Sequence, residues 1–308
     1  VLANAGTIYA STEALYLTDS DYDPDDNYRE RTNIHKLAFD ENGAPQYVAS
    51  GSVPGRLLNQ FSLGEKDGYL RVATHIDNWG AFLVDDVVVG IGIGVAEDDA
   101  AAPSDATNSS SSAGAAPITE TDPPYNAVYV LGEDGEDLAV TGAVEGIAPN
   151  EEMYAARFLN ERGYLVTFEQ IDPLFVLDLS DPANPTVLGE LEIPGYSDYL
   201  HPLDDNHLIG IGRSVYETQW GGAVPYALQL SLFDVSDPTA PTLVEQLSVG
   251  GYGSYSDASY SHKAFTLYTL GDETLLALPA ELYPASYNPY EDNEYYGASF
   301  EGVLCYSV

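Results

Sequence analysis

The chain has 308 residues, of which 49 are Asp or Glu and only 10 are Lys or Arg, so its formal net charge at pH 7 is −39. A charge this negative repels phosphate groups and anionic headgroups, which argues against nucleic acid and membrane surfaces as partners. The single cysteine excludes an intrachain disulfide, and no apolar run reaches the roughly 20 residues of a membrane span.

The first predicted unit contains four short strands with a tight turn between the last two. The predicted strands are Thr7–Ala10, Ala14–Thr18, His35–Phe39 and Gln46–Ser50. The Asn42-Gly43 pair between alternating runs is a strong hairpin signal. The acidic stretch Asp19–Asn27 is predicted to be a loop between the two hairpins.

Three further units repeat this arrangement. Their leading strands are predicted at Leu57–Leu63, Tyr69–Thr74, Tyr154–Leu159, Tyr164–Phe168, Tyr199–Leu203 and His207–Gly212. A hairpin with an Asp-Gly turn follows at Ala127–Gly146. The segments Phe175–Gly195 and Leu232–Gly251 share a strand, a Ser-Asp-Pro turn, a second strand and a glycine. Such self-similarity indicates a repeat architecture.

The last unit, Ser254–Val308, has predicted strands at Ser254–Tyr268 and Thr274–Pro279 and stops at a third strand, Val303–Val308. Repeated four-stranded units without a sustained helical period predict an all-β fold. We expect one β-propeller domain over residues 1–308, with four-stranded blades and about five blade units. The open edge of the third strand is expected to pair with Leu2–Ala10 of the same or an adjacent chain.

Residues 96–124 interrupt the repeats. They are rich in Ala, Ser, Thr, Pro and acids, with Ile118 as their one large aliphatic residue, so we predict a flexible surface loop. Asn108 begins an Asn-Ser-Ser acceptor sequence there, which predicts glycosylation if the protein is exported.

The charge also predicts a habitat. The acids are spread along the whole sequence, and only three of the basic residues are lysines: Lys36, Lys66 and Lys263. At molar salt the Debye length falls to about 3 Å, which screens the repulsion between these acids. We therefore expect a halophilic protein.

Long phrases of the sequence point to a family. They include YVASGSVPGRLLNQFSLGEKDGYLRVAT, which ends at Thr74, most of Gly163–Gly212, GSYSDASYSHKAF and FEGVLCYSV. In these phrases the chain resembles a secreted β-propeller family of archaea and some bacteria. The resemblance implies an extracellular or cell-surface propeller of uncharacterised activity and brings no catalytic motif. It also implies the C-terminal part of a larger ring, because family members carry further strands before the point that matches Val1.

The candidate ligand site lies on the inner strands. Gln60 and Arg157 occupy similar positions after the phrases VPG and IAP, and His201 and Tyr260 complete the set. Polar residues that line a propeller channel either bind an anionic or glycan ligand or simply hydrate the channel. Both interpretations stay open.

Calcium is the one cofactor that the sequence suggests. The acidic loop places Asp19, Asp21, Asp23 and Asp25 at alternate positions, and Ca²⁺ takes six to eight oxygen ligands. Pro24 interrupts the pattern, and the glycine and final glutamate of an EF-hand are missing. A solvated acidic loop is the alternative.

Catalytic arrangements find little support. Ser236, Asp257 and His262 suggest a triad without a nucleophile elbow, and Glu169 with Asp172 suggests a carboxylate pair. The five histidines show no metal-ligand spacing. We therefore expect a non-catalytic surface interaction protein that self-assembles with other subunits through blade edges or rim loops. The alternative is a secreted enzyme acting on polysaccharide or on a metal-dependent substrate.

Overall fold

The computed structural model describes residues 6–23, 29–77, 123–168, 172–217, 223–271, 273–285 and 297–308. These residues form nineteen β-strands and three single-turn 3-10 helices, which confirms the all-β prediction. The insert predicted at 96–124 lies outside the described residues except for its last two. Among the described residues, no helix has the length and apolar character needed to cross a bilayer.

The strands divide into two sets along the chain. The first set is β1 (Thr7–Ala10), β2 (Ala14–Asp23), β3 (Arg29–Phe39), β4 (Pro45–Pro54), β5 (Leu63–Lys66), β6 (Tyr69–Ile76), β7 (Tyr125–Asp134) and β8 (Asp137–Ile147). The second set is β9 (Glu152–Leu159), β10 (Arg162–Phe168), β11 (Asp172–Asp178), β12 (Thr186–Ile193), β13 (Tyr196–Pro202), β14 (His207–Glu217), β15 (Ala223–Asp234), β16 (Thr242–Val249), β17 (Thr266–Leu270), β18 (Glu273–Leu282) and β19 (Phe300–Ser307). The 3-10 helices span Gln60–Ser62, Asp257–Ser259 and His262–Ala264.

Four sheets result. The first has eight strands in the order β1-β2-β3-β4-β8-β7-β6-β5, and its halves meet at one parallel pair, Ser50 with Asp137. Strands β9–β12 and β13–β16 form two four-stranded sheets, and β17–β19 form a three-stranded sheet. All other pairings are antiparallel and join strands that follow each other along the chain.

The hairpin turns follow from their residues. Gly43 and Gly135 adopt φ values of +77° and +69°, which confirms the predicted Asn-Gly and Asp-Gly turns. In the Ser-Asp-Pro turns, Asp181 accepts a 3.0 Å hydrogen bond from the amide of Ala183, and Asp237 accepts an equivalent one from Thr239. The repeated triplet thus has a structural cause in these Asp-centred turns.

The core lies between successive sheets. In β2, Ala14, Tyr16 and Thr18 are buried while the alternate residues are more exposed, as expected for strands with one packed face. Leu174 and Phe233 belong to the cluster between β9–β12 and β13–β16. A further cluster joins β13–β16 to β17–β19; it includes Leu228, Leu276 and Leu278.

Glycines mark the closest approaches between units. A Cβ on Gly142 of β8 would lie 2.7 Å from the carbonyl carbon of Ala183 in the next hairpin turn. A Cβ on Gly189 of β12 would lie 2.7 Å from the carbonyl oxygen of Pro238, again in the next hairpin turn. Each Ser-Asp-Pro turn therefore packs against a glycine of the preceding outer strand.

One buried ion pair crosses the first sheet. Lys36 Nζ lies 3.0 Å from Glu65 Oε1 and 2.8 Å from Glu133 Oε1, and both the Lys36 and Glu65 side chains are almost fully buried. Glu65 also accepts hydrogen bonds from Tyr16 and Ser11. Although burial opposes its charge, the pKa of Glu65 is lowered by these hydrogen bonds and by Lys36.

Two predicted strands are wrong. Leu57–Leu63 contains a 3-10 turn, because Asn59 accepts a 2.8 Å hydrogen bond from the Phe61 amide and caps it. Ser254–Tyr268 contains two 3-10 helices, and Ser256 caps the first of them through the Ala258 amide. In both places a side-chain cap competes with strand pairing.

The predicted partner of the terminal strand is also wrong for Thr7–Ala10, the strand that the structure describes within the predicted segment. Thr7–Ala10 pairs with β2, where Ile8 lies opposite Leu17, and not with β19. The pairing with β2 needs only the short turn at Ser11, whereas β19 is the last of the described strands along the chain. Strand β19 pairs only with β18 among the described residues.

Candidate functional site

Two adjacent cavities lie where the first strands of the sheets meet. The larger, of about 650 Å³, is bordered by β1, β5 and β9, and the smaller, of about 500 Å³, by β13 and the last 3-10 helices. Both are lined by Ile8, Gln60 and Phe61, so the 3-10 turn Gln60–Ser62 separates them. This central region is the candidate functional site.

Phe61 is the centre of an aromatic and cationic cluster. Its ring centroid lies 5.4 Å from that of Tyr199 and 5.2 Å from that of His262, the latter in an edge-to-face arrangement. The guanidinium carbon of Arg157 lies 4.7 Å from the Phe61 centroid, within the range of a cation–π contact. The capped turn around Asn59 therefore fixes an aromatic ring between three units of the chain.

Three of the four predicted channel residues reach this region. Gln60 and Arg157 line the larger cavity, and Gln60 and Tyr260 line the smaller one. His201 lines neither; its ring lies 4.3 Å from that of Phe265, and its Nδ1 lies 3.0 Å from the Tyr199 hydroxyl. Burial, together with the charge of Arg157, lowers the pKa of His201 to about 4, so the ring is neutral at pH 7.

Asp198 is a site residue that sequence reasoning missed. It lines the smaller cavity, and its buried Oδ2 has no hydrogen-bond partner among the described residues. Burial raises the pKa of Asp198 to about 6, against the opposing effects of Arg213 and a hydrogen bond with Ser259. The repeated phrase Tyr-Ser-Asp at 196–198 and 255–257 was the available signal for this position.

The proposed calcium residues lie mainly on a strand. Strand β2 extends to Asp23, so the predicted loop is shorter than expected, because side chains of β3 pair with the acids across the hairpin. Arg31 lies 3.5 Å from Asp21 and 3.1 Å from Asp23, and Asn33 donates to Asp19 at 2.8 Å. The fourth predicted residue, at position 25, lies outside the described residues.

Other metal and modification predictions gain no new support. No group of three His, Cys, Asp or Glu side chains suited to a metal is found in the described parts of the chain. Calcium binding stays a prediction. Asn108 lies outside the described residues, so its glycosylation also stays a prediction.

The triad suggested by the sequence is not assembled by the fold. Ser236 lies in the exposed turn after β15, whereas Asp257 and His262 belong to 3-10 helices beside the cavity. No hydrogen bond joins Ser236 to either residue in the described part of the chain. Glu169 lies outside the described residues, so the carboxylate pair with position 172 stays untested.

Two archaeal proteins are similar to this chain in sequence. An uncharacterized protein of Archaeoglobus fulgidus is 37% identical over 240 residues, covering 77% of this chain and 28% of that protein. An uncharacterized protein of Methanocaldococcus jannaschii is 34% identical over 231 residues, covering 75% of this chain and 28% of that protein. The chain thus spans less than a third of the length of these relatives.

Among solved structures, a mutant of the apocarotenoid oxygenase of Synechocystis is similar with a TM-score of 0.44 and 9% identity, covering 91% of this chain and 58% of that one. The family model described as "Beta propeller domain" matches residues 1–308. The chain therefore belongs to the Beta propeller domain family.

Proposed function

We propose that this chain is a non-catalytic, extracellular or cell-surface propeller domain of a salt-adapted organism, and that it acts through self-assembly. The resemblance to a secreted family and the net charge of −39 support export and salt adaptation. Because the chain spans only 28% of its archaeal relatives, the proposal concerns this domain within a longer protein.

In this proposal the four sheets form five blade units. The eight-stranded sheet divides at its single parallel pair into β1–β4 and β5–β8, and the other sheets supply three more units. The first strands β1, β5, β9 and β13 all border the central cavities, as the inner strands of blades do. Four units then have four strands, and the last has three.

The observation that carries the proposal is the exposure of apolar faces at both ends of this series. On the first unit, Ile8 and Leu17 are neighbours, as are Leu37 and Tyr47, and Ile8 and Tyr47 are 53% and 59% exposed. On the last unit, Tyr268 and Val303 are 60% and 61% exposed. Contiguous exposed apolar side chains of this kind mark interaction surfaces.

The occupant that we propose for each face is a second copy of this chain. Faces of the inner units pack against the next unit, so the end face of one copy is suited to the end face of another. The edge of β19, which pairs with no further described strand, adds backbone groups for strand addition. Because the two end faces differ, the contact is heterologous and builds a ring or a filament.

Sedimentation velocity tests this proposal. In about 2 M KCl, where repulsion between copies is screened, the wild type should associate as its concentration rises. Tyr47→Glu and Tyr268→Glu each place a charge on one of the two faces and should leave a monomer. Tyr22→Glu is the matched control, because Tyr22 is equally exposed but lies on the opposite face of its strand from Leu17.

A wild type that stays monomeric at every concentration would contradict self-assembly. It would indicate that the exposed apolar faces of the first and last units contact other parts of the longer protein. Association that survives both substitutions would also contradict the proposed interface.

A further inference from the structure

The larger central cavity contains two arginines that form no salt bridge with a described carboxylate. Arg157 lies on β9, and Arg71 lies on β6. Neither guanidinium forms a salt bridge within the described part of the chain, although acids outnumber basic residues by 49 to 10. Cations are therefore scarce in this protein, and two of them line one cavity without a salt bridge to a described residue.

Arg71 is held in place by neutral groups. It is 5% exposed, its Nε donates to the Gly64 carbonyl at 3.1 Å, and its Nη1 donates to the Asn160 carbonyl. Its guanidinium carbon lies 5.3 Å from the ring centroid of Phe158. These contacts orient the side chain, and the described carboxylate that acts on its charge, Asp67, does so without a salt bridge.

The guanidinium of Arg157 uses fewer of its hydrogen-bond donors than that of Arg71. No hydrogen bond to a described residue uses its guanidinium, which lies over the ring of Phe61. Burial lowers the pKa of Arg157 and of Arg71 and outweighs the opposing effects of nearby groups. A guanidinium has five donors in a planar fork that matches a carboxylate.

The acid in the same cavity is already engaged. Glu65 lines the cavity, but its carboxylate accepts from Lys36, Tyr16 and Ser11. Lys66, the third basic residue of the lining, lies near Asp67 and Glu161. The local charge that remains unpaired is therefore positive.

We propose that this cavity binds a small organic carboxylate. The fork of Arg157 holds the carboxylate, Arg71 adds a fixed positive charge, and the ring of Phe61 contacts the carbon skeleton of the ligand. A volume of about 650 Å³ is far larger than an inorganic oxyanion needs and lies within the usual range for small-molecule sites. A uronic acid sugar has the size, the carboxylate and the apolar ring face that these groups fit.

Isothermal titration calorimetry with D-glucuronate, D-glucose and inorganic phosphate tests the proposal at a constant 2 M KCl. We expect glucuronate to bind, glucose to give no measurable binding and phosphate to bind at least tenfold more weakly. Arg157→Gln should raise the Kd for glucuronate at least tenfold, and Arg157→Lys should restore part of the affinity because it keeps the charge without the fork.

Arg31→Gln is the matched control, since it removes the same charge from a surface pair with Asp21 and Asp23 and should leave the Kd unchanged. The thermal midpoint of Arg157→Gln should not fall, which separates lost binding from unfolding. Equal affinity for glucose and glucuronate, tighter binding of phosphate, no binding of glucuronate, or an unchanged Kd in Arg157→Gln would each overturn the proposal. The two tests are distinguishable, because Tyr47 and Tyr268, which are substituted to test self-assembly, do not line this cavity.

Discussion

The side-chain amide of Gln60 donates a 3.1 Å hydrogen bond to Nδ1 of His262, which lies 202 residues further along the chain. This bond connects the capped turn before β5 with the 3-10 helix before β17. Phe61, the next residue, contacts the His262 ring and Tyr199 at the same place. The second and last units are thus joined at the centre of the molecule by two consecutive side chains.

We expect Phe61→Ala to lower the free energy of unfolding by about 2 kcal/mol, somewhat less than a fully buried phenylalanine would cost because Phe61 is only half-buried. Equilibrium denaturation in urea measures the change. Tyr22→Ala removes an aromatic ring that is 62% exposed and should change stability by less than about 0.5 kcal/mol. An equal effect of both substitutions would show that Phe61 does not connect the units.

Asp198 should make stability depend on pH. Its pKa is about 6 in the folded protein and near 3.8 in the unfolded chain, so the folded state retains the proton over that interval. The stabilisation from this proton is complete below about pH 4 and is lost as pH rises through about 6. The free energy of unfolding of the wild type should therefore fall by about 2–3 kcal/mol relative to Asp198→Asn over this range.

Denaturation curves of both proteins at pH 4, 5, 6 and 7 provide the measurement, and the difference between them cancels the titration of the other acids. A difference that does not change with pH would mean that the Asp198 carboxyl titrates normally.

Gly189→Ala should destabilise the fold by about 1–3 kcal/mol. The new methyl group would lie within 2.7 Å of the Pro238 carbonyl oxygen, so one of the two backbones must move. Glu245 occupies the same position one repeat later, two residues after Leu243 of β16, and its side chain is exposed. Glu245→Ala is thus the control and should be nearly neutral. If Gly189→Ala left the free energy of unfolding unchanged, the turn that contains Pro238 would be able to move without loss of stability.

Salt should stabilise the protein. The thermal midpoint is expected to rise markedly between about 0.1 M and 2 M KCl, because the Debye length falls from about 10 Å to less than 3 Å and screens repulsion among the acids. Differential scanning fluorimetry measures the midpoint. A flat profile over this range would contradict salt adaptation.

The hairpins were predictable because their signals are local. Asn42-Gly43 and the two Ser-Asp-Pro turns determine their own backbone conformation from adjacent residues. The interruption at Gln60–Ser62 was missed, because its apolar residues suit a strand and only the Asn59 side chain decides against one. Side-chain caps of this kind are weak signals in a single sequence.

The central site was only partly predictable. Gln60 and Arg157 were identified because each follows a similar phrase in the repeat, although Gln60 lies in a 3-10 turn and only Arg157 lies on a strand. Arg71 and Asp198 were not, because their roles depend on how separate units are rotated against each other. Whether a charge has a partner is likewise a property of the assembled sheets and not of neighbouring residues.

The glycines of the outer strands limit how the gene segments that encode the repeats can recombine with each other. A recombination that copied the codons of β12 over those of β16 would place a glycine where Glu245 stands, on an open surface, and would be tolerated. The reverse event would place a glutamate against the Pro238 carbonyl and would be selected against. Gene conversion between these two repeats should therefore persist only in the direction from the third unit to the fourth, and the third unit keeps its glycine.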